Sequence, residues 1–352
     1  NGEPLQYTGT GRELLVGFLI VFAAVLLPML LVFVGAAFAF GPSSPALQAL
    51  QGLSYLVFLF LYGVAIYRAQ RYRLSRTHWR GIRGSLTGSD RAYAWAYSWS
   101  ALLIPITWGW IVPWRANTLQ CRLTEDTRFG NRYLEFVGGA GPLYARFWFV
   151  WLATLALGLF GLIALGAYLG STSNRPIPTI RRLSATDYIV VASILLLVWL
   201  LYSVVTAWYR ARVINHFAAS TRIEGLRFTG SAKGRSLMWL GITNFLVVLA
   251  GGLVVVALVG LAGAGIVAAL PDPGGGLDGK GAALSLLLQA APLLFLLGFG
   301  ILTPVTQTRS ARYIVERLAI DGTLDTARIA QRADTGSQYG EGAAQAFDLD
   351  AF

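Results

Sequence analysis

The sequence predicts an all-α polytopic membrane protein with six transmembrane helices in three hairpins, plus one short aromatic hairpin that re-enters the membrane or lies at its interface. Three observations carry this expectation: long uncharged apolar runs, a lopsided distribution of Lys and Arg, and a short signature that recurs ahead of apolar runs. With 55% hydrophobic and 13% charged residues among 352, and mean hydropathy +0.58, the chain is too apolar for a water-soluble domain of its length.

The six runs are about Leu15–Phe40, Ala46–Tyr67, Phe147–Gly170, Tyr188–Tyr209, Met238–Leu270 and Ala282–Thr303. At about 1.5 Å per helical residue, each can cross roughly 30 Å of hydrocarbon. The first run exceeds the apolar stretch of a signal peptide and is followed at once by a second span, so it is expected to remain in the mature protein. None of the six contains Asp, Glu, His, Lys or Arg. The buried ionisable groups of ion-coupled pumps are therefore not expected.

Of 28 Lys and Arg residues, only Arg175, Arg181, Arg182 and Lys280 fall in the loops that close the three hairpins. The positive-inside rule then places both termini in the cytoplasm. The net charge of +11 reads as membrane topology, and no nucleic-acid partner is expected.

The signature runs aromatic or Leu, Thr, Gly, Ser or Thr, any residue, then Arg or Lys. Its copies are YTGTGR (Tyr7, Gly9, Arg12), LTGSDR (Leu86, Gly88, Arg91) and FTGSAK (Phe228, Gly230, Lys233), with a looser FVGGAG (Phe136, Gly138). The sequence YRA occurs at Tyr67–Ala69 and Tyr209–Ala211, which brings Arg80 and Arg222 into step without a gap, and WRA at Trp114–Ala116 and TRS at Thr308–Ser310 are further copies. This defines one transmembrane domain, 1–325, of degenerate repeated units at about 7–85, 86–135, 136–227 and 228–325. Residues 326–352 are expected to form a flexible acidic cytoplasmic tail. Within the signature, Thr and Gly predict a short extended stretch and a tight turn, with Ser or Thr capping the next helix.

The second unit has only Ala92–Trp114 between Arg91 and Arg115, too short for two full crossings. A single crossing would put the following basic segments on opposite sides, so a hairpin broken near Pro105 is preferred over a seventh span. Its rings, among them Tyr93, Trp95, Trp99, Trp108 and Trp110, suit the headgroup level.

The stretch YRAQRYRLSRTHWRGIRGSLTG at Tyr67–Gly88, with YTGTGREL near the start and GLRFTGSAKGRS later, resembles the YjgN-like family of bacterial inner-membrane proteins over roughly Tyr7 to Leu324. Arg73, Ser75, Arg76, Trp79, Arg80, Gly81, Arg83 and Gly84 are its most specific part. The resemblance implies a multispanning inner-membrane protein of a family of unknown function, and supplies no catalytic residue.

No nucleophile with a base, P-loop or metal-ligand spacing is visible, so neither enzyme activity, metal nor cofactor is expected. Cys121 is the single cysteine, and His78 and His216 are read as structural. Glu125 and Asp126 are read as local charge compensation. Pro28 and Pro292 should kink their helices, Gly251, Gly252, Gly260, Gly263 and Gly265 give a small-residue face, and Asn244 and Gln289 are candidates for bonds between helices. The functional candidates are arginines at the membrane exits: Arg68, Arg71, Arg73, Arg76, Arg80, Arg83, Arg210, Arg212 and Arg222. Arginine pairs bidentately with phosphate, so the expected role is non-enzymatic handling of membrane lipid, with anionic phospholipid as partner. A helix continuing along the interface would bring Arg73, Arg76, Arg80 and Arg83 to phosphate depth. The alternative is a scaffold that docks a membrane-protein partner, or a second copy of the chain, through its cytoplasmic segments or tail.

Overall fold

The computed structural model describes residues 6–9, 16, 20, 22–41, 44–172, 185–269, 302, 305–322 and 329. A π-helical turn at Phe22–Leu26 leads into α1 (Leu27–Phe40). Pro28 accounts for the junction: it has no N–H for the carbonyl of Ala24, and its ring crowds that carbonyl, so the backbone widens locally. Helix α2 (Pro45–Arg76) starts with Pro45 in its first turn, and the Ser44 hydroxyl accepts from the Leu47 N–H at 3.2 Å. It continues unbroken past the end of its apolar run, and its 32 residues extend about 48 Å.

The other helices among the described residues are α3 (Asp90–Ile106), α4 (Val112–Asp126), α5 (Gly141–Thr172), α6 (Ala185–Ser220), α7 (Gly234–Ala269) and α8, 305–315. Among the described residues five stretches are long and apolar enough to cross a membrane: Ala23–Phe40, Pro45–Arg76, Gly141–Gly170, Ile189–Ser220 and Gly234–Leu258. The sixth apolar run lies outside the described residues except at Leu302, as do Arg12, Gln289, Pro292 and the tail apart from Ile329.

To this helical, membrane-type architecture the structure adds short strands. They are β1 (Gln6–Tyr7), β2 (Thr77–Trp79), β3 (Ile82–Leu86), β4 (Thr127–Phe129), β5 (Arg132–Tyr133), β6 (Glu135–Phe136), β7 (Thr221–Ile223), β8 (Leu226–Gly230) and β9 (Leu318–Asp321). They form sheets of order β1-β2-β3-β4-β5 and β6-β7-β8-β9. Three hairpins have two-residue turns. Arg80 and Gly81 (φ 52° and 75°) and Glu224 and Gly225 (φ 35° and 83°) have the paired positive φ of a type I′ turn, while Gly130 (φ 59°) precedes Asn131 between β4 and β5. A helix along the interface is therefore corrected: Arg80 sits in a turn and Arg83 on a strand. The β-branched Thr77 leaves helical geometry, and the Arg-Gly pair reverses the chain.

Packing divides the chain into two compact units. In the first, made of 1–151, 213–230 and 319–352, the core is Ile66, Tyr67, Leu86, Tyr93, Ala96 and Leu119. Here the aromatic segment folds back on itself. Leu86, just before α3, pairs with Thr127, just after α4, so both ends of the segment lie together. Helix α3 carries Pro105 in its last turn, and the reversal comes at Trp108 (φ 51°) and Gly109 (φ 82°). The two ends of the α3–α4 pair are thus joined through β3 and β4.

In the second unit, 152–212 with 231–318, Gly161 packs on Val198 and Trp199 stacks on Phe245 with centroids 4.4 Å apart. The Asn244 amide donates to the Thr306 carbonyl at 3.5 Å and the Ser310 hydroxyl at 3.3 Å, joining α7 to α8 as a structural amide. Gly251 faces Leu302 in close contact.

Candidate functional site

Helices α2 and α3 approach so closely that a Cβ at Gly63 would lie 2.7 Å from the Ala94 Cα. The approach stacks Tyr62 on Tyr97 and Tyr67 on Tyr93, with centroids 5.6 and 5.4 Å apart. Tyr67 is fully buried, and its hydroxyl donates to Asp126 Oδ2 at 2.8 Å, tying α2 to the end of α4. Asp126 is thus a tertiary acceptor, which corrects the local reading of that carboxylate. Its neighbour Glu125 accepts from the Cys121 thiol at 3.3 Å.

Two of the predicted headgroup arginines fasten this joint. The Arg71 guanidinium donates to the Leu86 carbonyl at 3.1 Å and the Gly88 carbonyl at 2.7 Å while lying over the Tyr67 ring. Arg68 Nε donates to Asp90 Oδ2 at 2.8 Å. Burial opposes the charge on Asp90, but the Arg68 bond and charge outweigh it and hold the carboxyl below its usual range.

The signature glycines permit close approach to helix ends. Gly88 lies against the Asp126 carboxylate, Gly138 against Ser220, and Gly230 against Asn215 and Ala218. In two copies the serine behaves differently. Ser89 caps α3 by accepting from Ala92 at 3.4 Å, whereas Ser231 donates from backbone and hydroxyl to the Arg317 carbonyl at 2.9 and 3.2 Å. Capping is therefore corrected for FTGSAK. In the first copy, Tyr7 pairs with Thr77, the Gly9 position abuts the ring of Tyr7, and Thr8 bonds the Arg76 carbonyl. Phe136 pairs with Thr221, Phe228 lies on β8, and the Lys233 N–H meets the Tyr313 hydroxyl at 3.2 Å. Arg91 opens α3, its N–H donating to Asp90.

Directly opposed strand residues share a face. One face of the first sheet carries Gln6, His78, Arg83, Ser85, Arg128 and Tyr133, while Ile82, Gly84 and Leu86 turn inward and are buried. In the second sheet Glu135, Arg222 and Arg227 share a face. By register Arg222 takes the place of His78, and Glu224 that of Arg80. The gapless match of Arg80 with Arg222 is thus corrected, because α6 and its turn are displaced relative to the YRA alignment. Arg132 joins the sheets through a 2.6 Å bond to Glu224, half-exposed and worth up to about 1 kcal/mol.

Other arginines rest on aromatic rings: Arg76 on Tyr72 at 5.6 Å, Arg80 on Trp79 at 4.9 Å, Arg128 on Tyr133 at 3.6 Å and Arg212 on Trp208 at 5.7 Å. Each such contact contributes about 0.5–1 kcal/mol at an exposed site and holds the guanidinium in a defined orientation. Arg73 lies in the last turn of α2, and Arg210 is exposed on α6.

Sequence reasoning missed one group. Between α3 and α4 lies a cleft of about 150 Å³ lined by Trp99, Ser100, Trp114, Arg115, Thr118 and Arg122, among others. Arg115 lies 4.3 Å from the Tyr97 ring centroid, and its Nε is buried with no acceptor among the described residues. The signal was the spacing of Arg115, Thr118 and Arg122, which share a face once 112–126 is taken as helix.

Among the described residues no three His, Cys, Asp or Glu side chains gather to hold a metal. Among the described residues His78 Nδ1 and His216 Nε2 are buried without partners, and His216 bonds the backbone at Gly139. Burial pushes the Cys121 thiol up to about 11, with its bond to Glu125 acting in the same direction. That thiol is suited to structure more than to nucleophilic attack.

No curated protein and no solved structure matches the chain. A family described as "Bacterial protein of unknown function (DUF898)" matches residues 1–346. The long apolar helices and this match together mark a bacterial membrane protein that belongs to the DUF898, or YjgN, family.

Proposed function

We propose that the protein is a non-enzymatic, multi-pass protein of the inner membrane that binds anionic phospholipid through an arginine-rich cytoplasmic interface. Six spans in three hairpins, with both termini cytoplasmic, present the two sheets and the α2 exit to one leaflet, and α3–α4 forms the re-entrant or interfacial hairpin. The recurrence of helix, two-residue-turn hairpin and helix at β2–β3, β4–β5 and β7–β8 supports descent from a repeated unit.

The observation that carries the reading is the concentration of ring-stacked arginines at the ends of apolar helices: Arg76, Arg80 and Arg128 beside α2 and α4, and Arg212 on α6. Guanidinium groups oriented in this way match phosphate geometry, and each basic residue near an anionic surface contributes about 1 kcal/mol. Arg68 and Arg71 serve the fold instead.

Replacing Arg76, Arg80 and Arg83 by glutamine leaves Arg68, Arg71 and Arg73 to orient the chain. Native mass spectrometry of the purified variant across a salt series should show fewer retained phosphatidylglycerol molecules, with wild-type retention weakening as ionic strength rises. Equal retention at every salt concentration would refute the reading and favour a scaffold that docks a protein.

A further inference from the structure

We infer that the α3–α4 cleft is a specific site for the phosphate of one anionic phospholipid, with Arg115 and Arg122 as its clamp; this deepens the lipid reading above and rests on it. The cleft's charge is one-sided. Its lining contains two arginines and no carboxylate, and neither arginine forms an ion pair among the described residues. Arg115 is held by the Tyr97 ring, its Nε buried with no acceptor among the described residues, so the guanidinium is oriented before any anion arrives.

Spacing and size identify the occupant further. Arg115 and Arg122 are two helical turns apart, about 10 Å along α4, with Thr118 between them on the same face. Two arginine side chains of ordinary length can converge on a group above Thr118. The volume of about 150 Å³ holds a phosphate and some water, well below the roughly 300–1,000 Å³ of pockets that enclose a whole drug-sized ligand. The acyl chains must therefore lie outside. Trp99 and Trp114 stack edge to face at 5.7 Å at the end nearer the 107–111 turn, and Trp99 is 42% exposed. Arg122 lies nearer the sheet end, where Asp126 meets Gly88. Arg122 toward the sheets and the indoles toward the tip match a lipid whose headgroup faces the sheet side.

The test compares wild type, R115Q/R122Q and R76Q/R80Q/R83Q, each purified whole in mild detergent and titrated with phosphatidylglycerol, phosphatidylcholine of the same chains, or soluble glycerol phosphate. Bound lipid is counted by native mass spectrometry. Wild type should hold one phosphatidylglycerol that resists exchange, and R115Q/R122Q should weaken that step at least tenfold, whereas R76Q/R80Q/R83Q should keep that one tight lipid and lose the weaker, salt-sensitive ones. R115K/R122K, which keeps the charge but loses the fork, should fall between, and unchanged melting temperatures guard against misfolding. Loss of tight binding only in R76Q/R80Q/R83Q would overturn the cleft while sparing the broader reading. No loss in any variant would overturn both. Binding of glycerol phosphate as tightly as lipid, or of phosphatidylcholine as tightly as phosphatidylglycerol, would overturn the anionic-lipid assignment of the cleft.

Discussion

Substituting Tyr67 by phenylalanine removes one hydroxyl from a fully buried ring and with it the 2.8 Å bond to Asp126. A hydrogen bond to a charged group contributes about 1.5–3 kcal/mol, and no cavity larger than an oxygen is left behind, so about 2 kcal/mol is the expected loss. In domains of this class each kcal/mol moves the melting temperature by about 2–4 °C, which gives roughly 4–8 °C. Asp126→Ala should cost a similar amount because it strands the Tyr67 hydroxyl in the core. The two changes remove the same contact. The double variant should then be little worse than either single one, with a coupling of about 1–2 kcal/mol. Thermal melts in one detergent at a fixed scan rate measure all four proteins. Strictly additive losses, or a Tyr67→Phe shift below about 1 °C, would show that this bond does not join α2 to α4.

The Asp90 carboxyl is held below its usual range in the fold, so its pair with Arg68 stabilises above the ordinary carboxylate value of about 3.9 and is lost as pH falls through the folded value. Asp90→Asn should therefore cost up to about 1 kcal/mol at pH 7 and abolish the part of acid destabilisation below pH 4 that this pair causes. Cys121, pushed up to about 11, should alkylate with iodoacetamide at a rate that climbs about tenfold per pH unit beyond pH 9, where an ordinary thiol levels off. The neutral thiol is favoured in the fold, so any stability it adds is present below about pH 8.5 and lost as pH rises through 11; Glu125→Gln should shift the rate profile to lower pH. In a Cys121→Ser background, cysteines at Ser89 and Ser231 should resist an impermeant maleimide in intact spheroplasts and react once the membrane is opened, while one at Ser173 reacts from outside. External labelling of Ser231 would reverse the proposed topology.

The apolar runs were readable because a bilayer imposes one demand on a crossing segment, about twenty uncharged residues with internally satisfied backbone, and that demand is written in consecutive positions. The family resemblance was equally legible in the spaced arginines and glycines of Tyr67–Gly88. Strands of two to five residues carry too few alternating positions to declare themselves, so the sheets were visible only as an extended stretch with a turn. The roles of the arginines were less legible still. Arg68 and Arg71 are indistinguishable in sequence from Arg73 and Arg76, and only the fold brings Asp90 and the carbonyls of Leu86 and Gly88 within reach of the first two.

Local composition determined where helices form, which segments are apolar enough for a membrane, and where the chain must turn, since each depends on neighbours within a few residues. Tertiary structure decided what the charges do. Gly63 and Gly88 admit close contacts at Ala94 and Asp126, and that approach joins Tyr67 to a carboxylate many residues away. The same packing of α3 against α4 gathers Arg115, Arg122, Trp99 and Trp114 around one cleft, a grouping that residues on two helices acquire only when the chain folds back at Trp108 and Gly109.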